Sequence, residues 1–354
     1  MEPIRVLVVD DSAFMRKMIT DILTEDDRIE VIGTARNGQD ALNKIHTLSP
    51  AVITLDVEMP IMDGIATLQH IMAHNPMPVV MLSSDDNAQK TVRAMTNGAV
   101  DFIKKPSGAI SLNISDIQQD IIERVIGASG AKIPPNEVRD PIMTDQQFVN
   151  VSPFKQPDLK TMVAIGTSTG GPNALQHVLT VLPEDFPAPL LIVQHMPARF
   201  TKSLADRLNT LSNIRVKEAV HGDIVEKGTA YIAPGDFHMR IRHIGMTHVI
   251  ELSKHPIDLP HRPSVDVLFK SLATMNNVNK LAVVLTGMGS DGANGLLDIK
   301  KQDEHAIILA ESEQTAAVYG MPKAAIKTHL VDHVIPLQEI GNTILNLVEH
   351  SRGK

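Results

Sequence analysis

The sequence contains no cysteine. Disulfides, thiolate zinc sites and cysteine nucleophiles are therefore excluded, and a reducing compartment suits the chain. It also has no apolar run of about 18 residues and no secretory leader, so neither membrane insertion nor export is expected, and a cytoplasmic location is. None of the 15 histidines stands in an H-E-x-x-H pattern, which removes the zinc-hydrolase helix. Basic residues are outnumbered, and the formal net charge of −8 argues against a nucleic-acid footprint over the whole protein. What is present is an ordinary globular composition over 354 residues, long enough for two domains that each bury a core.

The first third repeats one unit. The apolar run Ile4 to Val9 ends directly in Asp10 and Asp11, Ser12 is placed to cap a helix from Ala13 to about Leu23, and a second strand runs from Ile29 to Ile32. After a helix from Gly38 to about Leu48, Ala51 to Leu55 delivers Asp56, with Glu58, Pro60 and the turn Asp63-Gly64 behind it. Pro78 to Leu82 then delivers Ser83, Ala99 to Ile103 delivers Lys104, Lys105 and Pro106, and Ser111 to Ile126 reads as a closing amphipathic helix. Five strand-helix repeats predict a doubly wound parallel sheet, whose ligands collect at the carboxyl ends of the strands. Acids, a hydroxyl and a lysine gathered there suit a hard divalent cation and a phosphoryl group.

These residues resemble, over residues 1–126, a bacterial two-component receiver domain with a flavodoxin-like fold. The resemblance implies Asp56 as phosphoacceptor, Mg²⁺ held by Asp10, Asp11, Asp56 and the Glu58 backbone, Ser83 and Lys105 on the phosphoryl group, and Phe102 at an aromatic switch position. Lys105 is preferred to Lys104 because the family lysine directly precedes the proline. A phosphoryl group adds roughly −1.5 to −2 charge among carboxylates, which a cation and a lysine can offset.

From residue 127 to 158 the apolar periodicity fades among glycines and prolines, and an interdomain linker is expected. A second α/β domain, 159–350, opens on Met162 to Ile165, a buried-strand run that enters Gly166-Thr-Ser168-Thr-Gly170. This matches G-x-S-x-G, a turn that lifts a serine hydroxyl clear of a sheet beside backbone N–H groups. Pro189 to Val193 delivers His195, and Leu281 to Leu285 opens into Thr286-Gly-Met-Gly-Ser-Asp-Gly292. Between them, residues 213–252 alternate short strands with glycines and read as antiparallel hairpins inserted in a mostly parallel sheet.

Three functions compete for this domain. A serine hydrolase would use Ser168, His195 and Asp291, each after a buried strand; an α/β-hydrolase order would instead need Asp291 with His305, His329 or His333. A dinucleotide-binding domain would use Gly287-Met-Gly-Ser-Asp-Gly292 with Glu311 after the next strand. A DNA-binding output module lacks its basic recognition helix.

Ile165 to Pro172, Gln194 to Pro197, His261-Arg-Pro-Ser-Val-Asp266 and Leu285 to Gly292 resemble, in order, the motifs of the chemotaxis protein-glutamate methylesterase family. That resemblance implies hydrolysis of γ-glutamyl methyl esters on chemoreceptor helices, with deamidation of particular glutamines. Ser168 would attack, His195 relay the proton and Asp291 orient it, with the Met288 N–H and Thr169 assisting at the oxyanion. It further implies a chemotaxis histidine kinase as phosphodonor, no cofactor for the esterase, and activation through phosphorylation; a monomer is expected.

Overall fold

The computed structural model describes residues 2–105, 114–133, 154–156 and 159–350. The chain divides into two compact units, Met1–Asp140 and Pro141–Lys354.

In the first unit the repeats form β1 (Ile4–Val9), α1 (Ala13–Thr24), β2 (Ile29–Ala35), α2 (Gly38–Leu48), β3 (Val52–Asp56), α3 (Gly64–His74), β4 (Val79–Ser83), α4 (Ala88–Thr96), β5 (Asp101–Lys104) and α5 (Ile114–Ser129). The strands lie parallel in the order β2-β1-β3-β4-β5. Val6 to Val9 are fully buried because helices cover both faces, α1 packing on α5 and α2 on α3. Ser12, Asn37 and Asp63 accept N–H bonds from Met15, Asp40 and Ala66, caps worth about 1 kcal/mol each. Residues 127–129, expected in the linker, belong instead to α5, since Ala128 continues its buried stripe. Residues 111–113 of the expected helix and 134–153 and 157–158 of the expected linker lie outside the described residues.

The second unit contains β6 (Lys160–Thr167), α6 (Gly171–Thr180), β7 (Leu190–Gln194), α7 (Phe200–Leu211), β8 (Arg215–Glu218), β9 (Thr229–Ile232), β10 (His238–Ile244), β11 (Thr247–Ser253) and α8 (Val265–Ala273). It ends with β12 (Val278–Val284), α9 (Ala293–Gln302), β13 (Ile307–Glu311), α10 (Met321–Lys327), β14 (His333–Ile335) and α11 (Leu337–His350). Seven strands pair in parallel in the order β14-β13-β12-β6-β7-β9-β8. The expected antiparallel hairpin insertion is present, but it does not fill 213–252. Only β10 and β11 form one; β8 and β9 pair in parallel and extend the main sheet beyond β7.

The strand order locates the site. From β6 the chain winds outward through β7 to β8 and β9, then returns to β12 on the other side of β6 and winds away again. The crevice beyond the carboxyl ends of β6 and β12 is therefore a topological switch point, where ligands settle in open parallel sheets. α8 buries Val265, Leu268, Phe269 and Leu272, a helical i, i+3, i+4, i+7 stripe, in the core shared with Met239, Ile241 and Val284. That packing fixes the loop before α8, which reaches the same crevice.

Candidate active site

Ser168 is the first residue beyond β6. Its N–H donates to Thr286 O at 3.0 Å, and its carbonyl accepts from the Gly171 N–H at 2.8 Å and from Gln194 Nε2 at 2.9 Å. Thr167 Oγ1 also donates to Thr286 O, at 2.9 Å, so the serine turn is tied to the exit of β12. Glycine is required where these segments meet. A Cβ on Gly171 would lie 2.0 Å from Gln194 Oε1, and one on Gly287 would lie 2.8 Å from Ser168 Cβ. The half-buried serine thus sits on a turn whose backbone is held from three sides.

His195 follows β7, its N–H bonded to Thr167 O at 3.1 Å. Gln194 Nε2 donates both to Ser168 O and, at 3.2 Å, to His195 O, so one amide spans the two strand ends. His195 Nε2 lies 2.8 Å from Asp291 Oδ2. Its Nδ1 is buried and has no protein partner among the described residues. The carboxylate accepts three further bonds: Ser264 Oγ and the Asp266 N–H reach Oδ1 at 2.9 Å, and the Val265 N–H reaches Oδ2 at 2.7 Å. Burial alone would push Asp291 up, but the His195 bond and these amides hold it down at about 2. An acid held so low keeps its charge while the imidazole beside it gains a proton.

The loop after β12 is tied by Gly287 N–H to Val318 O at 3.0 Å and by the Gly320 and Met321 N–H groups to Gly287 O at 3.0 and 2.8 Å. Among the described residues, the Met288 N–H is not one of the donors that tie it down. Thr169 is buried, and its carbonyl accepts Thr286 Oγ1 at 2.9 Å.

The same geometry removes the dinucleotide reading of Gly287 to Gly292. A pyrophosphate would need the amino end of α9, but Asp266 Oδ1 already accepts the Gly292 and Gly295 N–H groups at 2.9 and 2.7 Å. Glu311, which a ribose would need, is fully buried and accepts the Thr286 N–H at 2.8 Å.

In the first unit the carboxylates of Asp10, Asp11 and Asp56 converge, with ligand oxygens within 4.8 Å of one another. Lys105 Nζ lies 2.8 Å from both Asp10 Oδ2 and Asp56 Oδ2. Burial, and then the nearby Asp10 charge, raise Asp56 despite the lysine. Burial opposes the charge on Lys105, yet its bonds to Asp10 and Asp56 raise it above the usual lysine range. Three carboxylates against one ammonium leave an excess of oxygen donors and negative charge, which fits a small divalent cation. The Glu58 N–H points to Asp56 Oδ1 at 3.4 Å while its side chain turns away to Lys90, so only its carbonyl could join the cluster. Ser83, at the end of β4, is buried and bonded to Thr91, and Phe102 is buried on β5 with the Arg124 guanidinium 6.0 Å from its ring centre.

Gln194, Ser264, Asp266 and Glu311 have roles here that sequence reasoning did not assign. The first three stand inside quoted motifs. His261 also does, and its ring stacks on His195 with centroids 4.2 Å apart.

The CheB methylesterase family model matches residues 163–344, and that of the response regulator receiver domain matches residues 6–114. A protein-glutamate methylesterase/protein-glutamine glutaminase of Oceanobacillus iheyensis is 53% identical over 350 residues, covering 98% of this chain and 99% of its own length. The Bacillus subtilis protein of the same name is 48% identical over 356 residues, covering 99% of each chain. The crystal structure of the Thermotoga maritima CheB methylesterase catalytic domain superposes with a TM-score of 0.51 at 40% identity, covering 53% of this chain and 98% of that one. A receiver joined to a methylesterase domain, matched to relatives end to end, shows that the chain belongs to the protein-glutamate methylesterase/protein-glutamine glutaminase family of response regulators.

Proposed function

We propose that Ser168, His195 and Asp291 are the catalytic triad of this methylesterase, acting on γ-glutamyl methyl esters of chemoreceptor helices and on particular receptor glutamines. The observation that carries this is the His195–Asp291 bond at 2.8 Å beside a buried Nδ1 that has no partner among the described residues. With Nε2–H donated to Asp291, the lone pair lies on Nδ1, which makes Nδ1 the base for Ser168. The Ser168 oxygen attacks the ester carbonyl as its proton passes to Nδ1. The tetrahedral oxyanion is met by the Met288 N–H, with Thr169 assisting, and an ionised Asp291 stabilises the imidazolium. Collapse expels methanol, which takes the proton from Nδ1. Water then attacks the acyl-enzyme by the reverse proton route and frees glutamate and Ser168. A glutamine side chain follows the same course with ammonia as leaving group.

Control falls to the receiver unit, with Asp56 as phosphoacceptor, Lys105 and Ser83 meeting the phosphoryl oxygens and Phe102 following Ser83. Asp10, Asp11, Asp56 and the Glu58 carbonyl would hold Mg²⁺, whose charge would offset that of the incoming phosphoryl group. The phosphodonor is a chemotaxis histidine kinase, and the protein works as a cytoplasmic monomer. Among the described residues no helix is long and apolar enough to cross a membrane. With α5 carried to Ser129, a receiver domain of 1–129 and a methylesterase domain of 159–350 leave 130–158 as the connection. Methanol release from methylated receptor membranes, with and without a phosphodonor, tests the whole reading. Release that is absent in both conditions would reject it.

A further inference from the structure

Glu311 ends β13 with no exposed surface. Its Oε2 accepts the Thr286 N–H at 2.8 Å and its Oε1 accepts Thr315 Oγ1 at 3.1 Å. The strand ladder between β12 and β13 stops at Val284 and Ala310, so a side-chain carboxylate replaces a strand carbonyl as the acceptor for Thr286. Among the described residues no cation offsets it. Burial raises Glu311 to about 7, opposed only by those two bonds. An apolar residue would avoid that cost but would leave the Thr286 N–H buried without an acceptor.

Thr286 is the point through which the serine turn is held. Its carbonyl accepts the Ser168 N–H at 3.0 Å and Thr167 Oγ1 at 2.9 Å. Its hydroxyl donates to Thr169 O at 2.9 Å and accepts the Val318 N–H at 2.9 Å. Two residues later comes Met288. Any displacement of Thr286 therefore moves the serine and the oxyanion donor relative to each other.

We infer that Glu311 is a positioning residue for ester hydrolysis: by fixing the Thr286 N–H it sets the register of Ser168 against Met288. It touches neither substrate nor reacting atoms. The inference rests on Ser168 being the nucleophile.

The test uses the full chain, activated by a phosphodonor, with methanol release from methylated receptor membranes as readout. Glu311→Gln keeps the reach of the acceptor and loses the charge, whereas Glu311→Asp keeps the charge and loses a methylene of reach. A displacement of about 1 Å can cost roughly 100-fold, so Glu311→Asp should lower kcat by about 10- to 100-fold with KM within about twofold. Glu311→Gln should recover kcat to within about fivefold of the parent, on the same positional ground. The rate at which a small fluorophosphonate labels Ser168, counted per folded molecule, should fall in parallel for Glu311→Asp. A normal kcat or labelling rate in Glu311→Asp overturns the inference, as does an equal loss in both variants or a loss confined to KM. Ser168→Ala is run beside them. Activity surviving there rejects the nucleophile and the inference together, whereas an inactive Ser168→Ala beside a normal Glu311→Asp rejects the inference alone.

Discussion

His195 turns Nε2, not Nδ1, toward Asp291, at 2.8 Å from Oδ2. The carboxylate thereby selects the tautomer whose free lone pair is on Nδ1. Ser168→Ala and His195→Ala should each cost on the order of 10⁶ in turnover, and Asp291→Asn on the order of 10⁴, because a neutral amide no longer selects that tautomer. Methanol release by the folded variants is the measurement. Near-normal activity in His195→Ala together with its loss in His333→Ala would revive the α/β-hydrolase order.

Asp56 should accept phosphate from a small phosphodonor only with Mg²⁺ present, since its neighbours Asp10 and Asp11 otherwise repel the donor. Labelling should vanish in Asp56→Asn and in excess chelator. Because Asp56 is raised in the folded state, its ionised form costs stability above the carboxylate range. Metal-free Asp56→Asn should thus melt above the parent in the first-unit transition, and Mg²⁺ should stabilise the parent more than the variant. Equal labelling with and without chelator would remove the metal assignment.

Raised from 4.5 to about 7, Glu311 binds its proton more tightly when folded than when unfolded. Its contribution is at its best below about pH 4.5, is lost as pH rises toward 7, and stays lost above. Glu311→Gln, which cannot ionise, should therefore gain on the parent between pH 5 and 8, by roughly 2–3 kcal/mol at most. Urea melts of the second-unit transition at the two pH values decide it; a difference independent of pH refutes it.

The receiver is proposed to hold the esterase in check until Asp56 is phosphorylated. A fragment beginning at Lys160 should then exceed the unphosphorylated whole chain on receptor membranes, and a phosphodonor should raise only the latter. Such a fragment has a precedent in the separately crystallised Thermotoga maritima catalytic domain. A tenfold change in the active population needs only about 1.4 kcal/mol, within reach of a new charge. A cooperative melt establishes that the fragment is folded. If it is no faster than the parent, phosphorylation works by docking the enzyme to its substrate.

Much of this was legible because parallel strands announce themselves. Val6 to Val9 and Leu281 to Val284 are buried on both faces, hence continuously apolar, and the polar residues that follow them fall on one sheet edge. The strands β8 and β9 misled because Gly222 and Gly228 signal turns without saying whether the chain doubles back or crosses to a parallel neighbour. Ser168, His195 and Asp291 were visible as residues after strands. Their supports were not: Ser264 to Asp291 and Thr286 to Glu311 are contacts between distant segments, and no local period encodes them.

The pairing of β6 with β12 aligns Lys160 with Val278 and Gly166 with Val284. Synthesis runs from the amino end, so Ser168 emerges long before the strand that must flank it. Until β12 arrives, β6 has an open edge on one side, apolar and ready to accept a wrong partner. Closing so long a loop is slow, which makes this step the natural bottleneck in maturation. A newly made chain should consequently gain its fluorophosphonate reactivity only once nearly all of it has been released, and crowding or heat during that interval should divert it into aggregates.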